Sequence, residues 1–230
     1  YRIIEQVTDA IKSGRLKEAE VDQKVLRILK MRWDMGLLEN EGRIDPLNAQ
    51  ALTQDPAVGE AAREGAEKTL LVMRNREKVL PLSTQTRVLL VEQVCLSHEA
   101  ANTMDLHPGM LWEEMLKLSP QVMSVEIPIQ PTEQDKARVR RRLDLREHEV
   151  VVITNYYHNK TASDIRDLIA EIQRRGKPVV VLTNCPYVFG AGDFPTVVVC
   201  FEPAAQEHLQ VMAQTLYGAF TPTARLPVKL

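Results

Sequence analysis

Two runs of β-branched residues constrain what this chain can fold into. Residues 150–154 read Val-Val-Val-Ile-Thr and residues 179–183 read Val-Val-Val-Leu-Thr. Neither run alternates apolar with polar, so neither suits a strand with one face in water. A short, continuously apolar strand belongs in the middle of a parallel sheet, covered on both faces. Between the runs, residues 161–175 place Ile165, Leu168, Ile169 and Ile172 on one helical face, with Thr161 or Ser163 available as a cap and Gly176 as a stop. Strand, helix and strand with short connections imply a right-handed crossover between parallel neighbours.

The same alternation extends along the chain. Strands are expected at 87–94, 122–129, 149–155, 178–184 and 196–201, with a helix after Thr132 and a last helix at 204–220 carrying Leu209, Met212, Ala213, Leu216 and Tyr217. The expected fold is a doubly wound three-layer α/β/α sandwich of five to six mostly parallel strands, preceded by two helices. The first helix carries Ile3, Ile4, Val7 and Ile11 and closes at Ser13-Gly14; the second, over about 18–35, carries Val21, Val25, Ile28, Leu29 and Trp33 on one face. Residues 39–55 read as a linker. Residues 61–82 begin as a helical pattern (Ala61, Ala62, Ala66, Leu70), become an apolar run at 69–73, break at Arg74-Asn75-Arg76 and end in Val79-Leu80-Pro81-Leu82. On this reading the first strand of the sheet comes after them.

Composition excludes several functions. The 230 residues carry a net charge of −2, so there is no global attraction to nucleic acid or to an anionic membrane. No apolar run approaches the roughly 20 residues of a membrane span. The basic run Lys136–Arg142 is flanked by acids and reads as a solvated helix face. Cys95, Cys185 and Cys200 are odd in number, form no CxxC pair, and read as buried reduced thiols. His98, Asp105 and His107 share a segment and could suggest a metal site, but two histidines and one aspartate in such a segment are common by chance. No GxGxxG, Walker or GxSxG string occurs.

Four blocks in order resemble glycoside hydrolase family 3. Ser13–Leu16, Glu20–Met31 and Met35–Leu38 resemble the last helices of that family's catalytic (β/α)8 barrel. Residues 61–82 resemble the approach to its second domain. Asn184-Cys185-Pro186-Tyr187 resembles a turn after a sandwich strand, and Leu216–Val228 resembles the ending of the sandwich. The turn and the ending are most similar to the β-N-acetylhexosaminidase branch.

The resemblance implies three parts: residues 1–38 as terminal barrel helices, 39–55 as linker and 56–230 as the C-terminal α/β sandwich. It implies a parent glycosidase that hydrolyses terminal β-linked N-acetylhexosamine. A complete barrel takes about 250 residues, so the catalytic barrel is expected to be absent from this chain. The chain alone is then expected to be inactive, with that barrel as its partner and carbohydrate bound only by the whole enzyme. No catalytic residue transfers, since no string resembling the family's barrel motif occurs; the loop carboxylates Glu99 and Asp105 have nothing in their flanks to select them. No cofactor, metal or nucleic acid is expected. Strand carboxyl ends are where open α/β sheets hold ligands, which makes Asn155, Tyr156 and His158 after one central run, and Asn184 and Tyr187 after the other, the candidate ligand-edge or domain-interface residues. The competing reading is a stand-alone flavodoxin-like module for a small ligand, although Cys95-Leu96-Ser97-His98-Glu99 offers neither phosphate-binding glycines nor an acidic cluster.

Overall fold

The structure, a computed structural model, describes residues 2–39, 43, 45–95, 106–145, 148–157, 165–187 and 191–226. The chain divides into two compact units, Tyr1–Asp55 and Pro56–Leu230.

The first unit contains helices α1 (Arg2–Lys12), α2 (Glu18–Asp34) and α3 (Pro46–Thr53). The apolar periodicity of α1 and α2 does form helices, but neither buries a single residue. Ile3 is 75% exposed and Trp33 61%. The stretch read as linker is not wholly irregular. Asp45 accepts the Leu47 N–H at 3.0 Å and Pro46 occupies the first helical position, which is sufficient to start α3.

The second unit holds a six-stranded sheet in the order β1-β6-β5-β4-β2-β3. The strands are β1 (Leu71–Asn75), β2 (Val88–Val94), β3 (Val122–Pro128), β4 (Val150–Thr154), β5 (Val179–Thr183) and β6 (Thr196–Val199). Its helices are α4 (Pro56–Thr69), α5 (Met110–Leu116), α6 (Glu133–Leu145), α7 (Arg166–Arg174) and α8 (Gln206–Leu216). The two Val-rich runs are β4 and β5, parallel neighbours near the sheet centre and buried at every position. Alternate strand residues go to opposite faces. Val88, Leu90, Val152, Val180, Leu182 and Val198 pack under α4, α5 and α8; Leu89, Val91, Val151, Ile153, Val181 and Val197 pack under α6 and α7. These are the three layers the sequence predicts.

Two features depart from the expectation. The first strand is β1, not the segment after residue 86. β1 follows α4 with one residue between them and runs antiparallel to β6, with a bulge between Val72 and Arg74. As a short, half-buried edge strand it continues the apolar run of α4, so the helical period masks it. α5, only seven residues long, is a helix that the sequence periodicity does not predict. The caps proposed for α7, Thr161 and Ser163, lie outside the described residues; Ile165 stands at its N-terminus without a side-chain hydrogen bond.

Candidate functional site

The carboxyl edge of the central strands is built by side chains that tie one strand end to the next. Thr183, the last residue of β5, donates its hydroxyl to the Asn155 carbonyl oxygen at 2.8 Å and accepts the Cys185 N–H at 3.0 Å. Asn155 N–H donates to the Leu182 carbonyl at 2.7 Å. Asn184 pairs with the Tyr157 backbone twice: its Oδ1 accepts the Tyr157 N–H at 2.8 Å, and its Nδ2 donates to the Tyr157 carbonyl at 3.0 Å. On the other side, Gln93 Oε1 accepts the Tyr156 N–H at 2.6 Å, and Thr154 Oγ1 accepts the Gln93 N–H at 2.7 Å. β2, β4 and β5 are thus laced together where their ladder hydrogen bonds run out.

This arrangement sorts the predicted residues. Asn155 and Asn184 do converge, on one hydrogen-bonded loop pair. Asn155 is 1% and Tyr156 2% exposed, so both shape the edge from within. Tyr187, 53% exposed, faces solvent. His158 lies outside the described residues, as do His98, Glu99 and Asp105. Among the described residues no group of three or more His, Cys, Asp or Glu is placed to hold a metal ion. Replacing Asn184 by Ala removes both Tyr157 hydrogen bonds and should cost about 1–2 kcal/mol, read as a lower urea midpoint. An unchanged midpoint would show that the pairing contributes nothing to stability.

Under this edge lies a buried polar group that strand prediction does not single out. Glu92 on β2 shares the face of Val88 and Leu90 and is 4% exposed. Its Oε1 accepts the Leu111 N–H at 2.7 Å, so the carboxylate caps the start of α5 from a neighbouring strand. Oε2 has no hydrogen-bond partner among the described residues. Burial pushes the Glu92 pKa up to about 7; Glu126, opposite it in register on β3, pushes the same way, and backbone N–H groups of Leu111, Gly109 and Trp112 hold it down. Burial raises the Tyr156 phenol well above its ordinary range, with the Cys200 thiol and Glu92 adding to the shift. Burial likewise raises Cys200 to about 12, so it stays a neutral thiol. A carboxyl that titrates near neutrality suits acid–base chemistry, but Glu92 is closed off from solvent and occupied with a helix terminus. The signal for it was present in the sequence as a carboxylate in the core-facing register of an apolar strand, Val-Leu-Leu-Val-Glu-Gln-Val.

The fold and its edge define a doubly wound α/β sandwich. No protein-family model matches the chain. Solved structures with this fold include a glycoside hydrolase family 3 β-N-acetylglucosaminidase from Paenibacillus sp. str. FPU-7, at TM-score 0.66 and 19% identity, covering 96% of this chain and 42% of that one. A β-glucosidase from Listeria innocua in complex with glucose aligns at TM-score 0.63 and 21% identity, over 94% of this chain and 32% of that one. A xylan 1,4-β-xylosidase from Xylanibacter ruminicola is 30% identical over 78 residues, 32% of this chain and 9% of the xylosidase. The chain therefore spans less than half the length of each of these proteins. The structural likenesses establish its fold. Among the described residues no helix is long and apolar enough to cross a membrane.

Proposed function

We propose that this chain is the C-terminal α/β sandwich of a glycoside hydrolase family 3 enzyme of the β-N-acetylhexosaminidase branch. Residues 1–38 are the last helices of its catalytic barrel, and 39–55 are the linker. The observation that carries this reading is the likeness along 96% of the chain to 42% of a family 3 β-N-acetylglucosaminidase, in line with the four ordered sequence blocks. The exposed apolar stripes of α1 and α2 fit the same reading. Ile3, Ile4, Val25, Ile28, Leu29 and Trp33 all stand in solvent, and a patch of that kind calls for an apolar neighbour. The neighbour here is the rest of the barrel.

In this reading the paired groups that cleave a glycosidic bond reside in the barrel, and the whole enzyme removes terminal β-linked N-acetylhexosamine. The sandwich braces the barrel. Tyr187, after β5, is the exposed residue of the candidate edge and the one a docked neighbour would meet, and Asn184 and Thr183 tie the segment before it to the end of β4. The expected result is that the chain alone shows no turnover of p-nitrophenyl N-acetyl-β-glucosaminide, β-glucoside or β-xyloside. The polypeptide that includes the barrel hydrolyses the first of these fastest. Turnover by the chain alone, abolished by one substitution within it, would overturn the proposal. Preference of the whole enzyme for the glucoside or xyloside would overturn the branch.

A further inference from the structure

Helix α6 spends its charges unevenly. On the side towards α7 every charge is matched: Lys136 pairs with Asp167 at 2.8 Å, Arg140 with Glu171 at 2.8 Å, and Asp144 with Arg175 at 2.7 Å. Val139 and Leu143 turn into the core. The remaining stripe, Arg138, Arg141, Arg142 and Leu145, follows the i, i+3, i+4, i+7 spacing of a single helical face. Arg138 pairs with Asp135 at 2.6 Å, but among the described residues no carboxylate pairs with Arg141 or Arg142.

This stripe overhangs β3, the terminal strand of the sheet, whose described partner is β2 alone. Arg138, Arg141 and Arg142 line a cleft with three consecutive strand residues, Ser124, Val125 and Glu126. Consecutive residues of a strand point to opposite faces, so a cleft touching all three runs along the strand edge. Arg138 Nη2 reaches the Glu126 carbonyl oxygen at 3.4 Å, which places a guanidinium beside the edge backbone. Ser124 Oγ, shut off from solvent, has no hydrogen-bond partner among the described residues.

We propose that this cleft docks an extended acidic peptide segment as an added strand, with its backbone on the outer edge of β3 between the Trp112 hydrogen bond to the Val122 carbonyl and the Arg138 contact at Glu126, and its carboxylates on Arg141 and Arg142. Strand addition supplies main-chain hydrogen bonds, and side-chain chemistry selects the partner. Guanidinium groups select carboxylates, often in bidentate fashion. A second copy of the chain fits poorly, because two-fold pairing of β3 with β3 would oppose two arginine stripes. An apolar segment finds little here beyond Leu145.

The test is fluorescence anisotropy with the full chain and a fluorescein-labelled (Glu-Thr)5 peptide at low salt. The comparison peptides are (Lys-Thr)5 and a (Glu-Thr)5 with every second amide N-methylated. The acidic peptide should bind and the basic one should not. The double variant Arg141→Glu/Arg142→Glu and the N-methylated peptide should each weaken binding by about tenfold or more. Both arginines are exposed, so the variant keeps its fold, checked by circular dichroism. Absence of binding at about 1 mM peptide, or binding indifferent to the charge reversal, overturns the proposal. Equal binding of the N-methylated peptide reduces the cleft to a general anion attractor and overturns strand addition. A wild-type dimer that the double variant abolishes assigns the edge to a second copy instead.

Discussion

Replacing Glu92 by Gln should flatten a pH dependence of stability that the native chain carries in the unusual direction. The folded carboxyl titrates at about 7 and the unfolded one at its ordinary 4.5. Between those values the folded state binds the extra proton, so unfolding releases it and stability falls as pH rises. The contribution of Glu92 is most favourable below the unfolded value and is lost as pH passes through the folded one. At 1.36 kcal/mol per unit, the interval amounts to about 3 kcal/mol. Gln keeps an oxygen for the Leu111 N–H and carries no charge to bury, so the variant should be the more stable protein at pH 8 and lose that advantage by pH 5. Urea denaturation of both proteins from pH 5 to 8 measures the difference and cancels every other titrating group. A difference that stays constant across the range would refute the account, as would one that grows towards acid.

The mismatch between Glu92 and its strand also shows how far the sequence can be read. β4 and β5 were legible because five consecutive β-branched or aliphatic residues leave no water-facing side. The register follows directly, with Val152 and Leu182 towards α8 and Ile153 and Val181 towards α7. β1 was hidden because Leu70, Leu71 and Val72 continue the helical stripe of α4, and only the antiparallel partner β6 decides that the backbone extends. α5 was hidden for a related reason. A seven-residue helix shows too little periodicity, and part of what holds its start, Glu92, lies 19 positions earlier in the chain. At the candidate edge, Asn155, Tyr156 and Asn184 were legible by position, as the residues that follow central strands. What they do there was not, because it depends on Gln93 and Thr183 from other strands. The stripes on α1 and α2 were read correctly as apolar faces, but periodicity does not report what covers them.

Replacing Gly218 by Ala should destabilise the sandwich by about 3 kcal/mol. Gly218 follows α8 at φ 74°, where an L-residue is strained. A methyl group there would also lie 2.9 Å from Pro81 Cβ and 3.3 Å from its Cγ. The proline ring cannot withdraw, since the next residue, Leu82, donates its N–H to the Leu216 carbonyl at 2.7 Å. Two of the sequence blocks that resemble family 3, the Val79–Leu82 tag and the Leu216–Gly218 ending, are therefore one structural joint. Each residue type in it has a physical reason: a proline close against the end of α8, an N–H that closes that end, and a glycine with no side chain to meet the ring. Gly176→Ala separates the two contributions, because Gly176 has nearly the same φ of 73° and open space where its Cβ would lie. It should lose only the conformational part, about 1 kcal/mol. If Gly218→Ala lowered the urea midpoint no further than Gly176→Ala, the contact with Pro81 would carry no weight, and the pairing of the two blocks would have to be explained by something other than packing.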